Sequence, residues 1–323
     1  MTLLYTAQSE LPTPTRFCSH CNETKPADAF APGHVCCRVC VATAREQARL
    51  RSIKVNETRT FGVEIECKVP HLSIARVAAK IRRLGIPCTS PGYTHHGYEA
   101  WKVVPDGTVG DGWKTVDGVQ VRHYGMEVVS PILKGAAGVA ELKKVVKLLN
   151  RLGAFADRAC GLHVHHGARD LSLDSWKSLY RLYIRFEGVF DTVVPASRRG
   201  NVNSMCHALT AYGSEATVLA RVDAAYDLHG LRTAISSRFV KLNVQSYWRH
   251  GTVEFRHFGG TTDFTKILNW VSLTQAMVEK AHAGLVVGPR VTPTADKLFG
   301  LVKPQRSVRK WFTDRAAAFA AAA

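Results

Sequence analysis

The stretch RTFGVEIECKV, residues 59–69, carries the reading of the whole chain. Side chains of an extended strand alternate between faces. Phe61, Val63, Ile65 and Cys67 therefore share one face, and Gly62, Glu64, Glu66 and Lys68 share the other. The first face is that of a strand packed on a core. The second sets two carboxylates side by side, where they repel unless a cation lies between them.

SIARVAAKIRRLG, just beyond this strand, spaces Ile74, Val77, Ile81 and Leu84 at helical intervals, with Ser73 to cap its start and Gly85 its end. GYEAWKVVPDGTV and GVQVRHYGMEVVSP read as strands around a Gly/Asp-rich turn region, and a helix with Val139, Leu142, Val146, Leu149 and Leu152 on one stripe follows. CGLHVHHG is a short strand. SLDSWKSLYRLYIRFEGVFDTVV is a helix, and a further helix covers about residues 215–228. KLNVQSYW and TVEFRHF pair as a hairpin across RHG, and a helix over 263–283 closes the core. Strands separated sometimes by helices and sometimes by hairpins predict an α+β fold with a largely antiparallel sheet. GxxxxGK[ST] is absent, and no GxGxxG follows a strand, which argues against P-loop and Rossmann sites.

The 323 residues carry a formal charge of +17, which suits an anionic partner such as nucleic acid or a nucleotide. No run approaches the ~20 apolar residues of a membrane span, and the N-terminus lacks the pattern of a secretory signal. A cytoplasmic setting with reduced thiols is the expectation for the nine cysteines. Cys18-x2-Cys21 and Cys37-x2-Cys40, fifteen residues apart, match a four-thiolate zinc template, with Cys36 and His34 as alternative ligands. Four thiolates close the coordination sphere, so such a zinc is structural, and it would supply the folding energy of a segment too short to bury a core. The expected organisation is a flexible lead-in (1–16), a zinc module (17–41), a basic helical linker (42–57), a main domain (58–290) and a helical extension (291–323).

The opening oddity recurs. GMEVVSP sets Glu127 in a β-branched run, and GLHVHHG puts His163 and His165 on one strand face. GTVEFRHF aligns Glu254 with Arg256, and WKVVPDGTV has a turn at Asp106. A solvent-facing sheet would alternate in the same way, so no single segment identifies a site. Together they point to Mg2+ on carboxylates and arginines on phosphate, which is what phosphoryl transfer requires without a P-loop.

The order FGxEIE, W-x4-DGT, GxEVVSP, GLHVH, Ser-Arg, LN and TVEFRxFxGT, over roughly residues 58–283, resembles the amidoligases, distant relatives of glutamine synthetase and glutamate–cysteine ligase. The resemblance implies a glutamine synthetase-like antiparallel sheet that binds ATP with Mg2+ or Mn2+. A substrate carboxylate becomes an acyl phosphate, and an amine displaces the phosphate to form an amide. Carried over by position, Glu64, Glu66, Glu127, His163 or His165, and Glu254 resemble the metal ligands. Arg256 resembles the phosphate-binding arginine, Arg198 a second phosphate or substrate contact, and Asp106 the turn beside the substrate. A further glutamate of glutamine synthetase after the Glu127 position has no counterpart, which leaves the number of metals open. The implied partners are a small-molecule carboxylate or amine, with a nucleic acid or protein target open, and a homo-oligomer as in relatives. A guanidino kinase-like phosphotransferase and a non-enzymatic zinc-finger nucleic-acid-binding protein are the competing readings.

Overall fold

The structure is a computed structural model that describes residues 14–91, 99–288 and 290–322. Two compact units are present, divided between Ser52 and Ile53. The smaller holds the hairpin β1 (Thr15–Cys18) and β2 (Glu23–Pro26) and the helix α1 (Arg38–Ser52). Its buried centre is Cys18, Phe30 and Cys37. The helix starts at Arg38, between the two cysteines of the second pair, and not after them as the sequence suggests.

The larger unit begins with β3 (Thr60–Pro70), α2 (Ile74–Arg82), β4 (Cys88–Thr89), β5 (Trp101–Val104), β6 (Gly112–Val116), β7 (Val119–Val129) and β8 (Leu133–Lys134). There follow α3 (Gly135–Arg151), β9 (Gly161–Gly167), α4 (Leu173–Asp191), α5 (Glu215–Ala224) and α6 (Leu228–Ala234). The chain continues with β10 (Leu242–Asn243), α7 (Ser246–His250), β11 (Thr252–Gly259), α8 (Phe264–His282), α9 (Ala295–Val302) and α10 (Arg306–Ala321).

Nine strands among the described residues form one sheet in the order β10-β11-β9-β3-β7-β5-β4, with β6 on β7 and β8 on β3. Every pairing is antiparallel except β4 with β5. The expected mixed fold with a largely antiparallel sheet and flanking helices is what forms. The apolar face of β3 is sealed: Val63, Ile65 and Cys67 have no exposure. Helices α4 and α8 cover that face. Tyr180 of α4 donates to the Leu242 carbonyl, Trp270 of α8 packs on Phe258 at 5.0 Å, and Thr274 of α8 bonds the His166 ring at 2.8 Å.

Two local expectations need correction. The single helix expected over about 215–228 ends at Ala224, and a second runs from Leu228 to Ala234, because Asp227 caps a new start by accepting the Gly230 N–H. The 240–258 hairpin forms, but its first strand is two residues long. SYWRH is a helical turn, closed by Gly251 at φ +68°, so the chain reverses through a helix. The biased alanine-rich C-terminus belongs to α10, which buries Trp311 and Phe312. Residues 92–98, which include the first two residues of GYEAWKVV, lie outside the described residues.

Candidate active site

Register turns the alternation of each strand into a shared surface. Glu64 of β3 pairs with His163 of β9, and Gly62 pairs with His165. His165 pairs in turn with Glu254 of β11, which faces Asn243 of β10. On the other side Glu66 pairs with Glu127 of β7. Cross-strand partners project to one face, so β11, β9, β3 and β7 lay acids and histidines in a continuous band. The band floors a cavity of about 870 Å3. Asp106, Arg198 and Arg256 also line it, so the sequence-proposed residues of the larger unit converge on one place.

The contacts within the band are close. His163 Nδ1 lies 2.9 Å from Glu64 Oε2, and its Nε2 lies 3.5 Å from Glu66 Oε1. His165 Nε2 lies 3.3 Å from Glu64 Oε1 and 3.9 Å from Glu254 Oε1. Glu66 Oε2 accepts the Gly161 N–H, and Glu254 Oε2 accepts from Asn243 Nδ2 at 2.7 Å. Asp106 closes its own turn by accepting from the Thr108 N–H and hydroxyl, both at 2.6 Å.

Three overlapping groups each bring one ligand atom per residue within 4.8 Å: Glu64–His165–Glu254, Glu64–Glu127–His163 and Glu66–Asp106–Glu127. Electrostatics show what such crowding does without cations. Burial, and then the charges of Glu64, Glu66 and Asp106, push the Glu127 carboxyl well above the usual range. Burial would also raise Glu64, but His165 and His163 hold it well below. Against burial, Glu64 and Glu254 raise His165. Glu254 is lowered, burial being outweighed by Arg256 and His165. His165 Nε2 is buried and makes no hydrogen bond. A Glu127 carboxyl pushed toward its neutral form by its neighbours, beside an imidazole nitrogen without a hydrogen-bond partner, fits hard divalent cations.

The arginines flank the band. Arg256 Nη1 donates to Glu254, and its Nε faces the Met205 carbonyl at 3.4 Å. Two residues apart on β11, Arg256 and Glu254 share a face, and their side chains converge into an ion pair. Arg198 is 2% exposed, and its Nε has no hydrogen-bond partner. Its guanidinium lies over Gly161: a Cβ built there would be 2.7 Å from Arg198 Nη2 and 3.0 Å from His163 Nε2. Gly161 thus keeps open the space that brings the arginine to the histidine.

One cavity residue, Lys102, and one partner of the acidic band, Asn243, were not anticipated. Lys102, 6% exposed, lies in the row of Glu64 through Val129. Burial pushes its ammonium down while Glu64 and Glu127 pull it up. The alternation Trp101-Lys102-Val103, apolar on one side only, was its signal. Asn243, which holds Glu254, stood in the LN motif without an assigned role.

In the smaller unit, Cys18, Cys21, Cys37 and Cys40 bring their sulfurs within 4.8 Å of one another. Cys36 stands outside that group, 3.6 Å from the Ser19 hydroxyl, and His34 is not in it either. The N–H groups of Cys37 and Cys21 lower the Cys18 thiol to about 5, whereas hydrogen bonding to Cys37 and burial push Cys40 up.

Residues 57–278 match the family described as "Putative amidoligase enzyme". The chain belongs to this family. No curated protein matches it. Among solved structures, this amidoligase-family chain is similar to a bifunctional glutathione synthetase from Pasteurella multocida, at 12% identity and a TM-score of 0.39. The similarity covers 86% of the chain and 48% of that protein, so the chain spans about half its length. Among the described residues, no helix is long and apolar enough to cross a membrane.

Proposed function

We propose that this protein is an ATP-dependent carboxylate–amine ligase with a glutamine synthetase-like sheet. The observation that carries the reading is the set of three overlapping ligand groups on one sheet face, with Arg198 and Arg256 on the flank of the same cavity. In this reading residues 58–290 are the catalytic domain, and residues 17–41 are a module held by Zn2+ on Cys18, Cys21, Cys37 and Cys40. Residues 42–57 are the linker and 291–323 an extension.

Glu64, Glu66, Glu127, Glu254, His163 and His165 hold the divalent cations, and Asp106 completes the group with Glu66 and Glu127. Mg2+ or Mn2+ bound there supplies charge neutralisation on the transferring phosphoryl group. Arg256 presents a planar fork to phosphate oxygens once a cation takes over Glu254. Arg198 offers a buried guanidinium that no carboxylate of the described residues neutralises. The carboxylate substrate takes the γ-phosphoryl group from ATP as an acyl phosphate, ADP leaves, and an amine displaces the phosphate to form the amide.

The test is ADP release with Mg2+ against pooled carboxylates and amines, with hydroxylamine present. A ligase converts the carboxylate into a hydroxamate in an ATP-dependent way. A stable phosphorylated product with neither hydroxamate nor free phosphate would replace the ligase by a phosphotransferase.

A further inference from the structure

Behind the sheet, on the face opposite the cavity, a second polar cluster is buried. Lys241 and His257 have no exposure, and Glu187 has 8%. Lys241 Nζ donates to Glu187 Oε1 at 2.9 Å and to Asp191 Oδ1 at 2.8 Å. Asp191 Oδ1 also accepts from His257 Nε2 at 2.6 Å, and the other ring nitrogen of His257 bonds the Tyr183 hydroxyl at 2.8 Å. Burying an ammonium with two carboxylates costs several kcal/mol of desolvation, and apolar residues of similar volume often serve stability as well. Stability alone is therefore a poor account of the cluster.

Its spare hydrogen-bonding capacity has a direction. Asp191 Oδ2 accepts the Gly200 N–H at 3.0 Å, and Glu187 Oε2 accepts the Leu209 N–H at 2.9 Å. These amides are the two ends of one loop, residues 200–209. Arg198 stands two residues before Gly200. From the middle of the loop, the Met205 carbonyl faces Arg256 Nε, and the Cys206 thiol donates to the Arg256 carbonyl at 3.3 Å. Lys241 ties the same parts through its backbone: its N–H donates to the His207 carbonyl, and its carbonyl accepts from the Arg256 N–H. His257, held by Asp191 and Tyr183, follows Arg256 directly.

We infer that Lys241, Glu187, Asp191 and His257 are positioning residues: they clamp both ends of loop 200–209 and thereby hold Arg198 and Arg256 at the phosphate site. The clamp acts from the core side and touches no ligand. Its effect on nucleotide binding rests on the proposed phosphate role of Arg198; its effect on the loop does not.

The experiment uses the full chain and two readouts. Amide hydrogen exchange is measured in the wild type, Asp191→Asn and Glu187→Gln, and MgATP affinity is measured by calorimetry in those proteins, in Arg198→Ala and in the double variants with Arg198→Ala. Both carboxamides keep an acceptor oxygen, so failure of one variant to fold leaves the other to report. Exchange should accelerate by on the order of tenfold or more at residues 199–209, while β3 and β9 keep their protection. MgATP binding should weaken about 5- to 50-fold in Asp191→Asn, and much less when Arg198 is already alanine, as residues acting through one another do. A merely structural cluster would lower the melting temperature yet leave loop exchange and MgATP affinity at wild-type values, which overturns the inference. Equal losses with and without Arg198 would overturn its route through that arginine. Absence of MgATP binding in the wild type would remove the proposed function, while loop exchange would still decide whether the clamp exists.

Discussion

Replacement of Glu127 by glutamine should make the metal-free protein more stable and take away its response to Mg2+. Glu127 shares ligand groups with Glu64 on one side and with Glu66 and Asp106 on the other, with atoms no more than 4.8 Å apart. At an effective dielectric of 20, two unit charges at that distance repel by about 3.5 kcal/mol. The apo protein relieves part of this by the raised Glu127 carboxyl, and the cost that remains at neutral pH is some fraction of that repulsion. Glutamine removes it, and in a unit of this size the melting temperature should rise by roughly 2–8 °C. Mg2+ at a hundred times its dissociation constant should stabilise the wild type by about 2.7 kcal/mol, and Glu127→Gln should lose most of that gain. The sign with pH follows from the raised Glu127 carboxyl. Its contribution is fully present below the unfolded value of about 4.3 and is lost as pH rises through the folded value. The difference in stability between variant and wild type should therefore widen upward from about pH 4.3 without metal, and close when Mg2+ is added. The assay is thermal denaturation across pH, with EDTA and with Mg2+. A variant that melts at or below the wild type in EDTA, yet keeps the full Mg2+ shift, would refute both the crowding argument and the placement of a cation at Glu127.

Gly161→Ala should push the Arg198 guanidinium off His163, because the new Cβ would stand 2.7 Å from Nη2; overpacking of about 1–3 kcal/mol and a loss of MgATP affinity are expected, and wild-type values in melting and calorimetry would contradict this placement of Arg198. Elemental analysis should find one zinc per chain, lost in Cys18→Ser or Cys40→Ser and retained in Cys36→Ser, while the unit from Ile53 onward keeps its melting transition; zinc loss in the Cys36 variant would reassign the ligands. Acid should weaken the fold through His257, which burial lowers to about 4. Against an unfolded value near 6.5, its contribution is complete above ~6.5 and lost as pH falls toward the folded value, up to about 3 kcal/mol. His166, lowered by burial to about 3, acts in the same direction, so urea midpoints should decline from pH 7 to pH 5, with a shallower decline in His166→Gln. Flat midpoints would mean that these rings are not held neutral.

What the sequence determined by itself follows from local covalent geometry. The two-residue period of a strand places Glu64 with Glu66, His163 with His165 and Glu254 with Arg256, whatever the rest of the chain does. The spacing of the four cysteines is equally local, as is the helical stripe of α2. Only the tertiary structure decided which strands lie side by side. β3 sits between β9 and β7, neither its neighbour in sequence, because sealing Val63, Ile65 and Cys67 under α4 and α8 selects the pairing that buries the most apolar surface. That choice of register sets Glu64 against His163 and Glu66 against Glu127, and it brings Lys102 into the row. Arg198 lies beside a loop that Glu187 and Asp191 of α4 and Lys241, just before β10, bond from behind. Cys36 and Cys37, equivalent by spacing, are separated by the entry into α1, which turns one thiol toward the other three and leaves its neighbour at Ser19. Such contacts join residues tens to hundreds of positions apart, and pattern along the chain reports only the face that each residue presents, while long-range packing chooses what meets it.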